Sequence, residues 1–62
     1  MKKGIYVNEE YVGLLSQVPG ALECDVAGNT VVRDLLVSKW LIEQLNVDTA
    51  VTVSIREAPT VN

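Results

Sequence analysis

The chain has 62 residues, 48% of them hydrophobic, with one Trp, two Tyr and no Phe, and its five basic and eight acidic side chains leave a net charge of −3. That length holds one small domain, residues 1–62, which buries only about 60% of the surface its unfolded form exposes. One cysteine and no histidine exclude an internal disulfide and leave no set of ligands for structural zinc, so self-association is the stabilising device that remains.

Gly4 to Val7 reads as a short strand with Ile5 and Val7 pointing inward. Asn8-Glu9-Glu10 then looks like a helix start, a capping side chain followed by carboxylates near the positive end of the dipole. Tyr11, Leu14, Leu15 and Val18 continue at helical spacing to a stop at Pro19-Gly20. The alternative makes residues 10–18 a strand joined to the next through Pro19-Gly20. A Pro-Gly type II turn suits a two-residue hairpin poorly, so the helix is preferred, although Gly13 costs it about 1 kcal/mol. Residues 21–27 alternate, with Leu22, Cys24 and Val26 on one side and Ala21, Glu23 and Asp25 on the other, which predicts a second strand with a wet acidic face. Gly28-Asn29 ends it.

Thr30 to Leu45 is the clearest helix. Asn29 or Thr30 caps it, Asp34 sits near its positive end, and Asn46 stops it ahead of the short link Asn46-Val47-Asp48-Thr49. Its apolar residues fall on three stripes: Val31, Leu35, Ile42 and Leu45 with small Ser38 among them; Val32, Leu36 and Trp40; Val37 and Leu41. Arg33, Asp34, Lys39, Glu43 and Gln44 lie between the stripes and never merge into the broad polar back of an ordinary surface helix. Burying a Trp or Leu side chain is worth roughly 1.5–3 kcal/mol, so exposure of Val32, Leu36 and Trp40 together would forgo several kcal/mol. Those three are therefore the expected interface, either inside an intertwined oligomer or as a docking stripe. From Ala50 to Glu57, Val51, Val53 and Ile55 alternate with Thr52, Ser54 and Arg56, a half-buried strand stopped by Pro59. The expected fold is a small α/β (α+β) unit, a three- to four-stranded sheet packed on one long helix in the order β-α-β-α-β or β-β-β-α-β, assembled as an intertwined homo-oligomer.

The run Ala27-Gly28-Asn29-Thr30-Val31-Val32-Arg33-Asp34-Leu35-Leu36 resembles the strand-to-helix junction of β-grasp sulfur carriers, with their Gly-x-Thr-Val step, acidic residue and Leu-Leu. The resemblance implies a strand leading into the helix. It does not imply the activity, which needs a C-terminal Gly-Gly tail where this chain reads Thr60-Val61-Asn62. Val51 to Glu57 with Pro59 is similar to the closing strand of short YonK-type prophage proteins, which implies phage-type small size and oligomerisation and no activity to transfer.

Function classes separate on the same inventory. Basic residues come singly apart from Lys2-Lys3, which disfavours a phosphate-binding face and hence nucleic acid. An intertwined-dimer regulator or antitoxin has the right length, but its charge is wrong and the helix is too apolar for a major groove. No run of about 18 apolar residues predicts a membrane span, and a single Cys24 fits a reducing compartment, the cytoplasm. Without histidine the commonest general base is missing, and Cys24 lies between Glu23 and Asp25, which would raise its pKa. The chain is therefore read as a non-enzyme without cofactor or metal. The preferred function is a homo-oligomeric inhibitor or adaptor that binds another protein, with Val32, Leu36, Trp40, Tyr6 and Tyr11 as contact residues, since Trp and Tyr often dominate interface energy. The alternative is a module that sequesters an anionic, nucleotide-like small molecule between subunits, using the helix start at Asn29 and Thr30 with Arg33 and Arg56.

Overall fold

Two consecutive residues with positive φ, Asn8 at 50° and Glu9 at 70°, shape the N-terminal third of the molecule. In the computed structural model, which describes residues 2–47 and 51–59, they form the two-residue turn of a hairpin between β1 (Lys3–Val7) and β2 (Glu10–Leu14). Left-handed conformation at both central positions is the type I′ turn, whose twist matches that of paired strands. The expected helix start at Asn8-Glu9-Glu10 is thus a turn, and the helix expected beyond it is a strand followed by a single 3-10 turn over Leu15–Gln17.

The β1–β2 register slips between Ile5, opposite Gly13, and Tyr6, opposite Tyr11. Val12 is the extra residue of this bulge and packs against the core. The slip has a consequence for the faces: Gly13 meets Trp40 beneath the sheet, while Tyr11 lies over Gly4. A Cβ on Gly13 would stand 2.8 Å from Gln17 Oε1 and 3.4 Å from the Trp40 ring, so glycine is what allows that approach. Gln17 Oε1 also accepts the Leu14 N–H at 2.7 Å, fastening the 3-10 turn to the strand end.

Residues 21–27 are not a strand. α1 (Ala21–Val26) begins after Gly20 at φ 82° and closes with Gly28 at φ 79°. Asn29 N–H donates to Cys24 C=O at 2.8 Å and Gly28 N–H to Asp25 C=O at 3.1 Å, the Schellman pair that ends a helix on a left-handed residue. The β-grasp-like junction expected at Ala27 is therefore a helix-to-helix corner. Asn29 at once caps α2 (Thr30–Leu45), its side chain accepting from Val32 N–H at a long 3.4 Å, and Asn46 at φ 52° ends it. Thr30, Leu45 and both caps match the sequence expectation.

β3 (Val53–Glu57) runs antiparallel to β1, giving the strand order β2-β1-β3. The expected start at Ala50 and the link residues Asp48 and Thr49 lie outside the described residues; Val51 and Thr52 precede the strand. Of the three aliphatics expected to face the core, Ile55, opposite Ile5, packs there, Val51 is half-buried, and Val53 is exposed. The protein is a small α+β unit, a three-stranded antiparallel sheet with a long helix, in the order β-β-α-α-β in place of either expected order.

The core comprises Ile5, Leu15, Val18, Ala21, Val37 and Leu41, with Val7, Val12, Leu36, Trp40, Val47 and Ile55 packed around it. Of α2's three stripes, Val37 and Leu41 are the buried one. Leu36 and Trp40 flank them, and Val32 is at the exposed edge. Val31, Leu35, Ile42 and Leu45 face solvent. The reason is α1: as a second helix beside α2 it comes within reach of Leu36, whose Cδ1 is 3.5 Å from where a Gly20 Cβ would stand.

Candidate functional site

Tyr6, Tyr11 and Arg56, which the sequence names for two different purposes, come together on the outer face of the sheet. β1 supplies Tyr6 at the centre, β2 supplies Tyr11 directly opposite it because of the bulge, and β3 supplies Arg56. The two tyrosine rings meet edge to face with centroids 5.7 Å apart at 60°, the arrangement their quadrupoles favour. The Arg56 guanidinium lies 4.1 Å above the Tyr6 centroid, a cation–π contact. Its Nη2 is also 3.2 Å from Glu9 Oε2 in the hairpin turn. Tyr6 Oη donates to the Glu57 carbonyl at 2.8 Å, which fixes the ring on the sheet. Gly4 is the floor: a Cβ there would be 2.8 Å from Tyr11 Cε1 and 3.1 Å from the Ala58 backbone. The result is an ordered patch of two aromatics and one arginine, half open to solvent.

Within one chain, the residues expected to hold an anion between subunits are engaged elsewhere or stand exposed. Arg33 is held by two carboxylates, Asp25 at 2.6 Å and Asp34 at 2.8 Å, while Arg56 is held over Tyr6. Burial works to lower the Arg33 pKa, but the Asp25 and Asp34 carboxylates outweigh it and the pKa is raised. Asn29 spends its side-chain oxygen on its own helix, and Thr30 is exposed.

Asp25, read from the sequence as the wet face of a strand, instead joins three elements. Its carboxylate, on α1, takes Lys3 Nζ from β1 at 2.7 Å and Arg33 Nη1 from α2 at 2.6 Å. Hydrogen bonds from Lys3 and Arg33 hold its pKa below the ordinary aspartate value, against a smaller opposing push from burial. Neither this cluster nor the role of Glu9 could be read from sequence, because both depend on α1 being a helix and on the hairpin turn. A groove of about 430 Å³ passes Leu15, Leu22, Asp25 and Val26, but its carboxylate is already neutralised by Lys3 and Arg33. Cys24 is a half-buried free thiol. Among the described residues no group of three or more His, Cys, Asp or Glu is placed to hold a metal, and no helix is long and apolar enough to cross a membrane.

Fold and patch together define a small α+β protein with an ordered aromatic–arginine surface. Comparison with known protein families, characterised proteins and solved structures finds no match to this chain.

Proposed function

We propose that this protein works by binding and not by catalysis, as a small acidic homo-oligomeric inhibitor or adaptor in the cytoplasm whose protein partner docks on the outer sheet face. The observation that carries the reading is the Tyr6–Tyr11–Arg56 patch, with Tyr6 and Tyr11 edge to face and Arg56 over Tyr6. Tyr and Arg are the residue types over-represented among those that dominate interface energy. Here they are already ordered, which lowers the entropy that docking would otherwise cost. Trp40 belongs less to this surface than the sequence implied, since it is half-buried against Gly13.

The test is capture from the native host with tagged wild type and with Tyr11→Ala/Arg56→Ala. Both substituted side chains are largely at the surface, so circular dichroism should show the variant folded. A protein retained by wild type and lost by the variant is the expected result. Equal retention by the two overturns the assignment to this face.

A further inference from the structure

The solvent-facing side of α2 carries Val31, Leu35, Ser38, Ile42 and Leu45, separated by four, three, four and three residues. The four aliphatics are 71%, 65%, 46% and 43% exposed in that order. A helix that only covers a sheet is polar on this side. The alternation of four and three draws these residues into one continuous stripe, the spacing by which a helix can pack along a neighbouring helix.

We infer that the occupant is α2 of a second copy, parallel and in register, so that the chain is a two-fold dimer through this seam. The inference rests on the homo-oligomeric part of the function proposed above and names the surface responsible.

Charge chooses the partner and the direction. Asp34 precedes Leu35 on one flank of the seam, and Lys39 follows Ser38 on the other. In a parallel in-register pair, the flanking residue just before one seam position faces the partner residue five places later, whereas antiparallel helices set each flank against its own kind. Parallel α2 helices thus bring Asp34 of each copy to Lys39 of the other, two ion pairs related by the two-fold. Antiparallel helices would leave Asp34 and Lys39 on opposite flanks of the seam, so neither pair could form. Asp34 is 60% exposed while ion-paired to Arg33 at 2.8 Å, so the Lys39 of the other copy would share that carboxylate, and Lys39 makes no ion pair among the described residues.

Shape and area fit a weak pair. Val37 and Leu41, buried with Ile5, lie about 100° around α2 from the seam, so each sheet would sit to one flank of the helix pair. At roughly 60–120 Å² for a whole aliphatic side chain, the four, weighted by their exposures, contribute on the order of 135–270 Å² from each copy. Apolar atoms make up about 60% of a typical interface, which puts the whole at about 450–900 Å², the size of a weak, transient contact. Ser38 at the centre of the seam is small and polar, so it lets the helices approach closely while weakening the pair. The dimer is therefore expected to dissociate within the micromolar range.

Light scattering behind size exclusion and sedimentation equilibrium, from about 1 to about 300 μM, test this directly. The expected result is a concentration-dependent dimer that Leu35→Glu/Ile42→Glu converts to a folded monomer, that Ser38→Leu strengthens, and that Asp34→Lys weakens until Lys39→Asp is added. In a Cys24→Ser background, Leu45→Cys should cross-link to its own counterpart under mild oxidation, because only the parallel register places both copies of residue 45 together. A wild type monomeric throughout, a dimer indifferent to Leu35→Glu/Ile42→Glu, or a dimer in which Leu45→Cys fails to cross-link overturns the proposal. A monomer that still captures a partner through Tyr11 and Arg56 overturns the dimer alone and leaves the sheet-face reading standing.

Discussion

On the outer face of the sheet the large side chains are partnered within the chain: Tyr6 with Tyr11, Arg56 and the Glu57 carbonyl, and Arg56 with Glu9. On the outer face of α2, Val31, Leu35, Ile42 and Leu45 stand exposed in a row. The first face loses little by meeting water, because its polar atoms stay solvated and its rings cover one another. The second leaves aliphatic surface wet in a chain with little stability to spare. On the two proposals above, the polar–aromatic face receives a partner protein and the aliphatic seam is half of a contact with a second copy.

The sharpest way to test this contrast is within α2 itself. Leu41→Ala removes a fully buried side chain and is expected to cost about 2–5 kcal/mol, enough to unfold much of the population. Leu35→Ala, six residues earlier and about 120° around the helix, removes a 65% exposed side chain and should leave the monomer within about 0.5 kcal/mol of wild type. Urea titration at low protein concentration measures both; comparable losses would show that α2 is packed on both sides within one chain.

On the sheet side, Gly4→Ala should cost about 1–3 kcal/mol, since the new methyl meets Tyr11 Cε1 and the Ala58 backbone. It should also displace the Tyr11 ring and alter the near-ultraviolet dichroism. An unchanged spectrum would mean that Tyr11 is not held over Gly4.

Asp25→Asn separates packing from charge. Because the folded pKa of Asp25 lies below its unfolded value near 3.8, the carboxylate stabilises the fold fully above that value and ceases to do so as pH falls through the folded pKa. Thermal melts should therefore show wild type above Asp25→Asn at neutral pH, with the gap closing in acid. A gap independent of pH would overturn the Lys3–Asp25–Arg33 account.

The smallest effect is expected at the hairpin tip. Glu9→Gly relieves a left-handed residue and loses only an exposed ion pair, for a net gain of under about 1 kcal/mol in a chemical melt. A loss instead would assign Glu9 a larger part in holding Arg56.

α2 was legible in the sequence because several signals agreed: Asn29 and Asn46 as caps, apolar periodicity between them, and sixteen residues over which to read it. β3 was legible from its alternation, although its start was not. The N-terminal third misled because its turn uses Asn-Glu where Asn-Gly would announce a hairpin, and two carboxylates after Asn imitate a helix start. α1 misled because six residues are too few to separate a period of two from one of 3.6; Leu22, Cys24 and Val26 alternate, yet Leu22 and Val26 also share a helix face. The signal available was Gly28, a helix-closing residue read as the end of a strand. That one error changed the reading of α2, since a helix beside it comes within reach of Leu36, while Trp40 is covered by Gly13 of β2 and Leu35 and Ile42 stay outside. The members of the sheet-face patch were visible one by one, but their convergence depends on the bulge at Val12.

The strand order β2-β1-β3 has a consequence for how the chain is made. Asn8 donates its N–H to the Thr52 carbonyl at 2.8 Å and accepts the Thr52 N–H through its side chain at 3.0 Å, continuing the β1–β3 ladder beyond the last paired strand residues. Until Thr52 and β3 are synthesised, one edge of β1 has no neighbour. At 5–20 residues per second the hairpin would wait roughly 2–9 s with that edge open, a template for pairing with another nascent chain. Lys3 on β1 and the strongly twisting type I′ turn are what the early hairpin has to discourage such pairing, and Asn8 is the clip that closes it.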